Sequence, residues 1–306
     1  GAAYGRCGRA IVSKGDIQRG RYRSPYAQRG LTVRIAYVII SAVYWLLTRL
    51  ARRTRGIVVL CYHSVHTDQL QRFTWQIRHA ARRAVSPSAV ASGRGACGRE
   101  PHVCVTFDDG FENVLKHALP AMQALGVPAT LFVVPGSFGM VPAWGMPVGH
   151  PDREERVASG PELAAAARRG LCSIGSHTFS HVRLSQAKRA EMMRELSDSK
   201  EALEELLDCE IADLAFPYGD YDASTVERAY SSGYRRLFTL DPRLWHPEKG
   251  ETLVGRFLVC PEMWRVEFAL TCAGAYAWRA ASRRVWHRLR PASQRRAAKA
   301  PEVVAT

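Results

Sequence analysis

Two short motifs combine carboxylates and imidazoles at the ends of apolar segments. Asp108 and Asp109 follow one apolar run and precede Gly110, a residue that suits a turn. His177 and His181 follow another, and their i, i+4 spacing would place both rings on one face if the chain formed a helical turn there. One carboxylate and two imidazoles can form an open metal site that keeps a position for water. Each motif alone is also typical of ordinary loop or core residues, so it is their combination that indicates a hydrolytic metal centre.

The segments around these motifs alternate between two patterns. Short β-branched apolar runs predict strands over residues 56–65, 102–110, 129–135, 171–177, 211–219, 235–240 and 253–259. Amphipathic stretches predict helices over residues 73–84, 113–126, 161–170, 187–208 and 223–233. Repeated alternation of this kind predicts an α/β fold with a parallel sheet. Nearly every predicted strand ends in a polar residue, where a barrel builds its active site, so a closed barrel is favoured over an open sheet.

Three ordered motifs resemble those of the polysaccharide deacetylase family, the NodB-homology domain of carbohydrate esterase family 4. Residues 106–110 (TFDDG) are similar to its first motif, 176–181 (SHTFSH) to its second and 215–222 (AFPYGDYD) to its third. The resemblance covers about residues 57–260. It implies a distorted (β/α) barrel of about seven parallel strands, of the NodB-homology type.

The resemblance also implies a role for each matching residue. A divalent metal, usually Zn²⁺ with Co²⁺, Ni²⁺, Fe²⁺ or Mn²⁺ as alternatives, would be bound by Asp109, His177 and His181. The metal would lower the pKa of its bound water and polarise the acetamide carbonyl, and Asp108 would act as the general base. In the third motif, Pro217 and Tyr218 would border the substrate, and the backbone N–H of Tyr218 would help to hold the oxyanion.

The general acid has two candidates. In this family it is usually a histidine near the C-terminal end of the domain, where His246 in RLWHPE is the candidate. His63, in the segment CYHSV at the end of the first predicted strand, resembles instead the circularly permuted branch that includes enzymes acting on poly-N-acetylglucosamine. Because a barrel closes on itself, a strand moved from the end of the chain to its start can keep its place in the ring. His63 is therefore the predicted acid, and His246 is the competitor.

Two positions depart from the family pattern. Residue 215 is alanine, where many members have an arginine that orients the base, and Arg256 in a late strand could supply that charge. Many members also have a tryptophan that walls the acetyl pocket, and its candidate counterparts are Trp245 and Trp144.

The formal net charge of +15 is concentrated at the two ends of the chain. Residues 1–56 hold 12 Lys/Arg against one acid and residues 263–306 hold nine against two, whereas residues 57–262 hold 22 against 25. A basic nucleic-acid-binding core is therefore excluded, and no nucleic-acid partner is expected. The eight cysteines form no CxxC pair, which speaks against a zinc ribbon or a small disulfide scaffold.

Composition divides the chain into a basic arm (1–30), an apolar helix (31–55), a catalytic domain (56–262) and a basic tail (263–306). Three interpretations of the apolar helix stay open: a short membrane anchor, an export signal, or a helix packed on the domain. Its basic surroundings favour attachment to an anionic membrane surface, with the bacterial cell envelope as the expected location.

The leading prediction is a metal-dependent hydrolase that removes N-acetyl groups from an N-acetylhexosamine-containing polysaccharide or lipid-linked saccharide. One alternative is an O-deacetylase or another small-amide hydrolase on the same fold, because the same residues would serve those reactions. Another is a glycan-binding protein without activity. A nucleic-acid binder that uses the basic ends would show strong salt-dependent binding.

Overall fold

Strands and helices alternate through the part of the chain that the computed structural model describes, which is residues 30–51, 56–91, 100–280 and 282. The strands are β1 (Ile57–Tyr62), β2 (His102–Phe107), β3 (Ala129–Val133), β4 (Cys172–Ser176), β5 (Asp213–Ala215), β6 (Arg236–Phe238), β7 (Leu253–Val254) and β8 (Phe257–Leu258). The α-helices are α1 (Leu31–Leu50), α2 (Leu70–Ala80), α3 (Pro87–Ala91), α4 (Leu119–Gln123), α5 (Gly160–Arg168), α6 (Arg189–Leu207), α7 (Ala223–Ser231) and α8 (Arg265–Cys272). A π-helical turn, Val114–Ala118, leads into α4.

All pairings between these strands are parallel, in the order β7-β6-β5-β4-β3-β2-β1-β8. The two outer strands are consecutive pieces of one segment, since β7 pairs with β6 and β8 pairs with β1. This segment therefore contacts both ends of the sheet and closes the ring. The predicted parallel (β/α) barrel is confirmed, and the predicted seventh strand over 253–259 is split in two.

The split occurs at Gly255 and Arg256, between β7 and β8. A Cβ atom on Gly255 would lie 2.2 Å from Cγ of Arg243 and 2.6 Å from the carbonyl oxygen of Asp241, so only glycine fits where the segment crosses this loop. The kink turns the Arg256 side chain into the barrel, where it is completely buried.

Successive residues of a strand pack alternately into two different apolar cores. In β1, Val58, Leu60 and Tyr62 pack into the large core between the sheet and the surrounding helices. Ile57 and Val59 face the barrel interior, which is filled by a second cluster that also contains Cys104, Phe132, Ala215, Phe238, Trp245 and Val254. This period of two follows from the strand geometry, and it explains why the strands are apolar on both faces.

The folded domain extends beyond the predicted boundary at residue 262. Phe268 and Cys272 of α8 and Tyr276 in the following turn are buried in the large core. The first part of the predicted basic tail therefore belongs to the domain. The predicted basic arm up to residue 29 and the tail from residue 283 lie outside the described residues.

Candidate metal and catalytic site

Asp108 and Asp109 lie in a tight turn directly after β2. The backbone N–H of Asp108 still bonds to the carbonyl oxygen of Tyr62, but Asp109 has a φ of 70° and Gly110 a φ of 75°. At Gly110 a Cβ would lie 2.8 Å from Cγ1 of Val133, so the turn requires glycine. Because the strand ends before the two acids, their carboxyl groups do not alternate between faces as they would in a strand. Both are buried in the same site.

His177 and His181 follow β4 in a loop whose conformation is not the helical turn that their spacing allows. Thr178 and His181 have φ values of 63° and 60°, yet the two imidazole rings lie 4.9 Å apart, centre to centre. Nδ1 of His177 lies 2.8 Å from the carbonyl oxygen of Ala215. Since a carbonyl can only accept, Nδ1 carries the proton and Nε2 keeps its lone pair for the site.

Glu195 of α6 holds this loop in place. Its carboxylate accepts hydrogen bonds from the backbone N–H and the hydroxyl of Ser180, and its carbonyl oxygen accepts from the N–H of Phe179 at 3.2 Å. Sequence reasoning missed Glu195. The available signal was an acid on the otherwise buried face of α6, where it shares a stripe with Met192 and Ser199.

One ligand atom each from Asp109, His177 and His181 lies within 4.8 Å of the others. Oδ1 of Asp109 is 3.6 Å from Nε2 of His177 and 3.3 Å from Nε2 of His181. Oδ1 of Asp109 and Nδ1 of His181 are buried without a hydrogen-bond partner among the described residues. Burial lowers the pKa of His177 to about 4, which keeps this ring in the neutral form that binds metals. The three side chains therefore fit a divalent metal such as Zn²⁺.

Asp108 is bound by donors from two residues. Arg256 donates to Oδ1 at 2.6 Å and to Oδ2 at 2.8 Å, and the thiol of Cys61 lies 3.3 Å from Oδ2. Burial acts to raise the pKa of Asp108, but the Arg256 guanidinium, followed by His177, outweighs it and holds the pKa well below its usual range. Burial raises the pKa of Cys61, so the thiol keeps its proton and can donate it. Asp108 is therefore ionised and fixed in orientation at neutral pH.

The two histidine candidates for the acid lie at opposite ends of the barrel. A nitrogen of His63 is within 4.8 Å of an Asp108 carboxylate oxygen and of the Cys61 sulfur. His246 lies against Gly56, before the start of β1, and its ring contacts Glu248. The six residues of β1 separate the two positions by about 20 Å. The structure therefore keeps His246 away from the two aspartates.

Of the two tryptophan candidates, only Trp144 lies at the site. Its ring stacks on that of His181, with 4.3 Å between centres. Trp245 instead pairs with Ile57 at the amino end of β1, where its indole N–H donates to the carbonyl oxygen of Glu251. The prediction that Trp245 borders the substrate is wrong, because this side chain fills the closed end of the barrel interior.

Tyr218 completes the rim of the site from the turn Pro217–Gly219, which follows β5. Its ring lies 4.6 Å from that of His181, and the guanidinium of Arg183 lies 4.0 Å from the centre of the tyrosine ring. Pro217 of the same turn is buried. Five non-glycine residues in the described part of the chain have positive φ, and four of them surround this site: Asp109, Thr178, His181 and Tyr218. Strained backbone of this kind is concentrated where side chains must be held in fixed positions for function.

Comparison with known proteins agrees with this geometry. The model of the family described as "Polysaccharide deacetylase" matches residues 95–237. The structure of IcaB from Ammonifex degensii is similar, with a TM-score of 0.58 and 28% identity over 71% of this chain and 97% of that one.

Two curated proteins are similar in sequence. YxkH of Bacillus subtilis, which carries the name of a polysaccharide deacetylase, is 26% identical over 54% of this chain and 53% of its own length. The poly-β-1,6-N-acetyl-D-glucosamine N-deacetylase of Staphylococcus aureus is 22% identical over 51% of this chain and 54% of its own length. The chain thus spans about half the length of these relatives. The three motifs, the closed parallel barrel and these matches agree: the barrel of this chain is similar in motifs, fold and sequence to polysaccharide deacetylases.

Proposed function

We propose that this domain is a metal-dependent hydrolase that removes N-acetyl groups from a glycan containing N-acetylhexosamine. The observation that carries the proposal is the position of the Asp109, His177 and His181 ligand set beside the buried Asp108–Arg256 pair, at the carboxyl ends of the strands. A divalent metal bound by these three residues would supply Lewis-acid activation of water and of the acetamide carbonyl.

Asp108 is the general base of the proposed reaction. Arg256 and Cys61 donate to its carboxylate, which is therefore ionised and aimed before substrate arrives. A carboxylate with a low pKa is a weak base, and it needs an acidified water as its proton donor. The neighbouring ligand set would provide that water. Arg256 is a positioning residue, which takes the place of the arginine that is absent at Ala215.

His63 is the general acid that protonates the leaving amine. It lies near Asp108 and is partly exposed, so it can reach a substrate that enters from the open end of the barrel. The backbone N–H of Tyr218 contributes to stabilisation of the oxyanion, because the turn at Pro217–Gly219 holds this residue beside His181. Trp144, whose ring stacks on that of His181, forms the wall of the acetyl pocket.

The proposed substrate class is a polymer or oligomer of N-acetylglucosamine. The partial match to a poly-β-1,6-N-acetyl-D-glucosamine N-deacetylase favours such a chain. Trp144 and Tyr218 offer aromatic faces at the site mouth, which suits the apolar faces of sugar rings.

We further propose that the protein works at a membrane surface of the bacterial cell envelope. α1 has the length and composition of a membrane-crossing helix, with a mean hydropathy of 1.7, and only 6% of its most apolar window is buried. A second support is the exposure of nine large apolar side chains along α1.

The test is acetate release by the purified full chain, after chelation and after re-addition of Zn²⁺. The substrates are an N-acetylglucosamine oligomer and an O-acetylated oligosaccharide of similar length. Zinc-dependent release from the first substrate, at a rate at least about tenfold above the second, is expected. Faster release from the O-acetylated substrate would replace the proposal by O-deacetylation. No release from either, with the metal bound, would leave glycan binding without catalysis.

A further inference from the structure

α1 has two faces of opposite character. Its residues at positions 34, 37, 38, 41, 42, 44, 45 and 48 are partly or fully covered. This three-and-four spacing continues from the first turn to the last, so one face of the helix is less exposed than the other along its whole length. The other face carries nine apolar side chains that are 45–73% exposed: Leu31, Val33, Ile35, Ile39, Ile40, Val43, Leu46, Leu47 and Leu50.

Polar contacts bind the covered face to the domain. Arg34 contacts Glu267 of α8 through two hydrogen bonds, at 3.2 and 2.5 Å, and its guanidinium lies 3.9 Å from the centre of the Trp264 ring. Ser41 is fully buried and accepts a hydrogen bond from the indole of Trp278 at 2.9 Å. A helix surrounded by lipid on all sides would lose these contacts and expose Arg34 and Ser41 to hydrocarbon. The docked helix therefore suits a position in the membrane surface, with lipid on one side only.

The direction of α1 relative to the strands determines how the barrel would be oriented on a membrane surface. Its first turn contacts Trp264 and Glu267, which follow the carboxyl end of β8. In its last turn, Arg49 lies 3.9 Å from Glu100, which precedes the amino end of β2. α1 thus runs antiparallel to the strands along the side of the barrel. A surface that contacts its exposed face would run beside the barrel, and the catalytic site would open along that surface.

Two basic segments flank α1 in the sequence, and a third lies at the C-terminal end of the chain. Seven Lys/Arg lie within residues 1–29, three within residues 52–55 and seven within residues 283–306, and the three segments contain two acids. The third segment follows Trp278, the residue bonded to the middle of α1. An apolar helix face in a chain with basic flanking sequence is typical of helices that lie in an anionic lipid surface. A second copy of the chain would instead bring like charges together, which disfavours self-association through this face.

We propose that α1 lies in the plane of an anionic membrane surface, with its nine exposed apolar residues in the lipid and its covered face against the domain. This inference rests on the proposed membrane association and specifies its geometry. Because α1 is bound to the domain, the membrane contact would be rigid. The catalytic site would then open beside the lipid surface and receive glycan that lies close to that surface.

Vesicle binding by the full chain tests the contact face. Vesicles of phosphatidylglycerol and phosphatidylcholine in equal parts are compared with vesicles of phosphatidylcholine alone by co-sedimentation. The variant I39E/V43E/L47E places three acids on the exposed face, and the matched control A190E/S197E/S224E places three on exposed positions of α6 and α7. We expect wild type to bind the anionic vesicles at least about tenfold more tightly than the neutral ones. The first variant should lose at least about tenfold in affinity, and the control less than about threefold. Equal binding by the two variants would overturn the proposal.

Sidedness separates a helix in the surface from one that crosses the membrane. Epitope tags on both ends of the full chain are exposed to protease in sealed membrane vesicles from bacteria that express it. Both tags digested, or both protected, would place the two ends on one side, as proposed. Digestion of only one tag would show a crossing helix and overturn it.

Sedimentation equilibrium without lipid tests whether a second copy of the chain, instead of lipid, covers the exposed face of α1. A wild-type dimer that I39E/V43E/L47E converts to a monomer, with no vesicle binding by either, would assign the face to a second copy and overturn the proposal. Acetate release from a soluble oligomer is recorded for every variant. Since binding and sidedness are measured without turnover, a failure of this inference is distinguishable from a failure of the deacetylase proposal.

Discussion

Replacement of Arg256 by methionine should damage both the stability of the barrel and the reaction. Arg256→Met keeps most of the side-chain length but removes the donors at 2.6 and 2.8 Å, so the buried Asp108 carboxylate loses its counter-charge. Loss of one partner of a buried ion pair costs about 3–5 kcal/mol. Because Cys61 and His177 remain beside Asp108, we expect a value near the lower end, about 3 kcal/mol.

A double-mutant cycle with Asp108→Asn separates the coupling from other effects of the substitution. The double variant Asp108→Asn/Arg256→Met has no unpaired charge, so it should recover about 1–3 kcal/mol relative to additivity of the single variants. Arg236 offers a matched control, because it pairs with Asp213 through contacts of 2.6 and 2.9 Å away from the catalytic end of the barrel. Arg236→Met should cost less, about 1–3 kcal/mol, because that pair is more exposed.

Urea unfolding measures the free energies, and acetate release at a temperature where every variant is folded measures the reaction. Arg256→Met should lower kcat by at least about 100-fold, and Arg236→Met by less than about threefold. Equal kcat for these two variants would refute the positioning role of Arg256. Additive unfolding free energies in the cycle would refute the energetic coupling between Arg256 and Asp108.

Three further predictions concern other parts of the site and its surroundings. His63→Ala should reduce kcat by about 10²–10⁴-fold while His246→Ala leaves it unchanged, and the reverse order would move the acid role. Glu195→Ala should weaken zinc affinity by about 10–100-fold in a competitive chelator titration, and an unchanged affinity would contradict its role in holding the histidine loop. The bond from His66 to Asp152, at 2.7 Å, raises the pKa of His66. A raised pKa in the folded state contributes stability that is complete below the unfolded pKa of about 6.5 and is lost as the pH rises through the folded pKa. His66→Gln should therefore cost more unfolding free energy at pH 5.5 than at pH 8, by about 1 kcal/mol, and an equal cost at both pH values would contradict this linkage.

The sequence was sufficient for the strands and for the convergence of the three candidate ligands, for physical reasons. Buried parallel strands such as β1 and β2 are apolar on both faces, which makes them visible as short β-branched runs. Asp109, His177 and His181 each follow such a run, and the carboxyl ends of parallel strands meet at one end of a barrel. Their convergence could therefore be anticipated without any knowledge of the loops.

What could not be anticipated depends on contacts between distant segments. The split at Gly255 follows from a crossing with the 241–243 loop, and the burial of Trp245 follows from a bridge to Ile57. Neither contact leaves a periodic signal. The position of Arg256 beside Asp108 also joins residues far apart in the chain, so the sequence could offer it only as a candidate.

α1 shows a different limit. Its sequence is apolar nearly throughout, so periodicity does not reveal that two of its polar residues, Arg34 and Ser41, face the domain while nine large apolar residues are exposed. The contact partners Glu267 and Trp278 lie more than 200 residues away along the chain. Only the fold brings them together, and with them the exposed apolar face.

The most direct test of the central claim compares wild type with Asp108→Asn, both loaded with Zn²⁺, for metal content and for acetate release from an N-acetylglucosamine oligomer. The account predicts one bound zinc in each protein and a kcat at least about 100-fold lower in the variant, because Asp108 moves the proton and does not hold the metal. Equal kcat at equal zinc content would contradict the assignment of Asp108 as the base and, with it, the proposed mechanism.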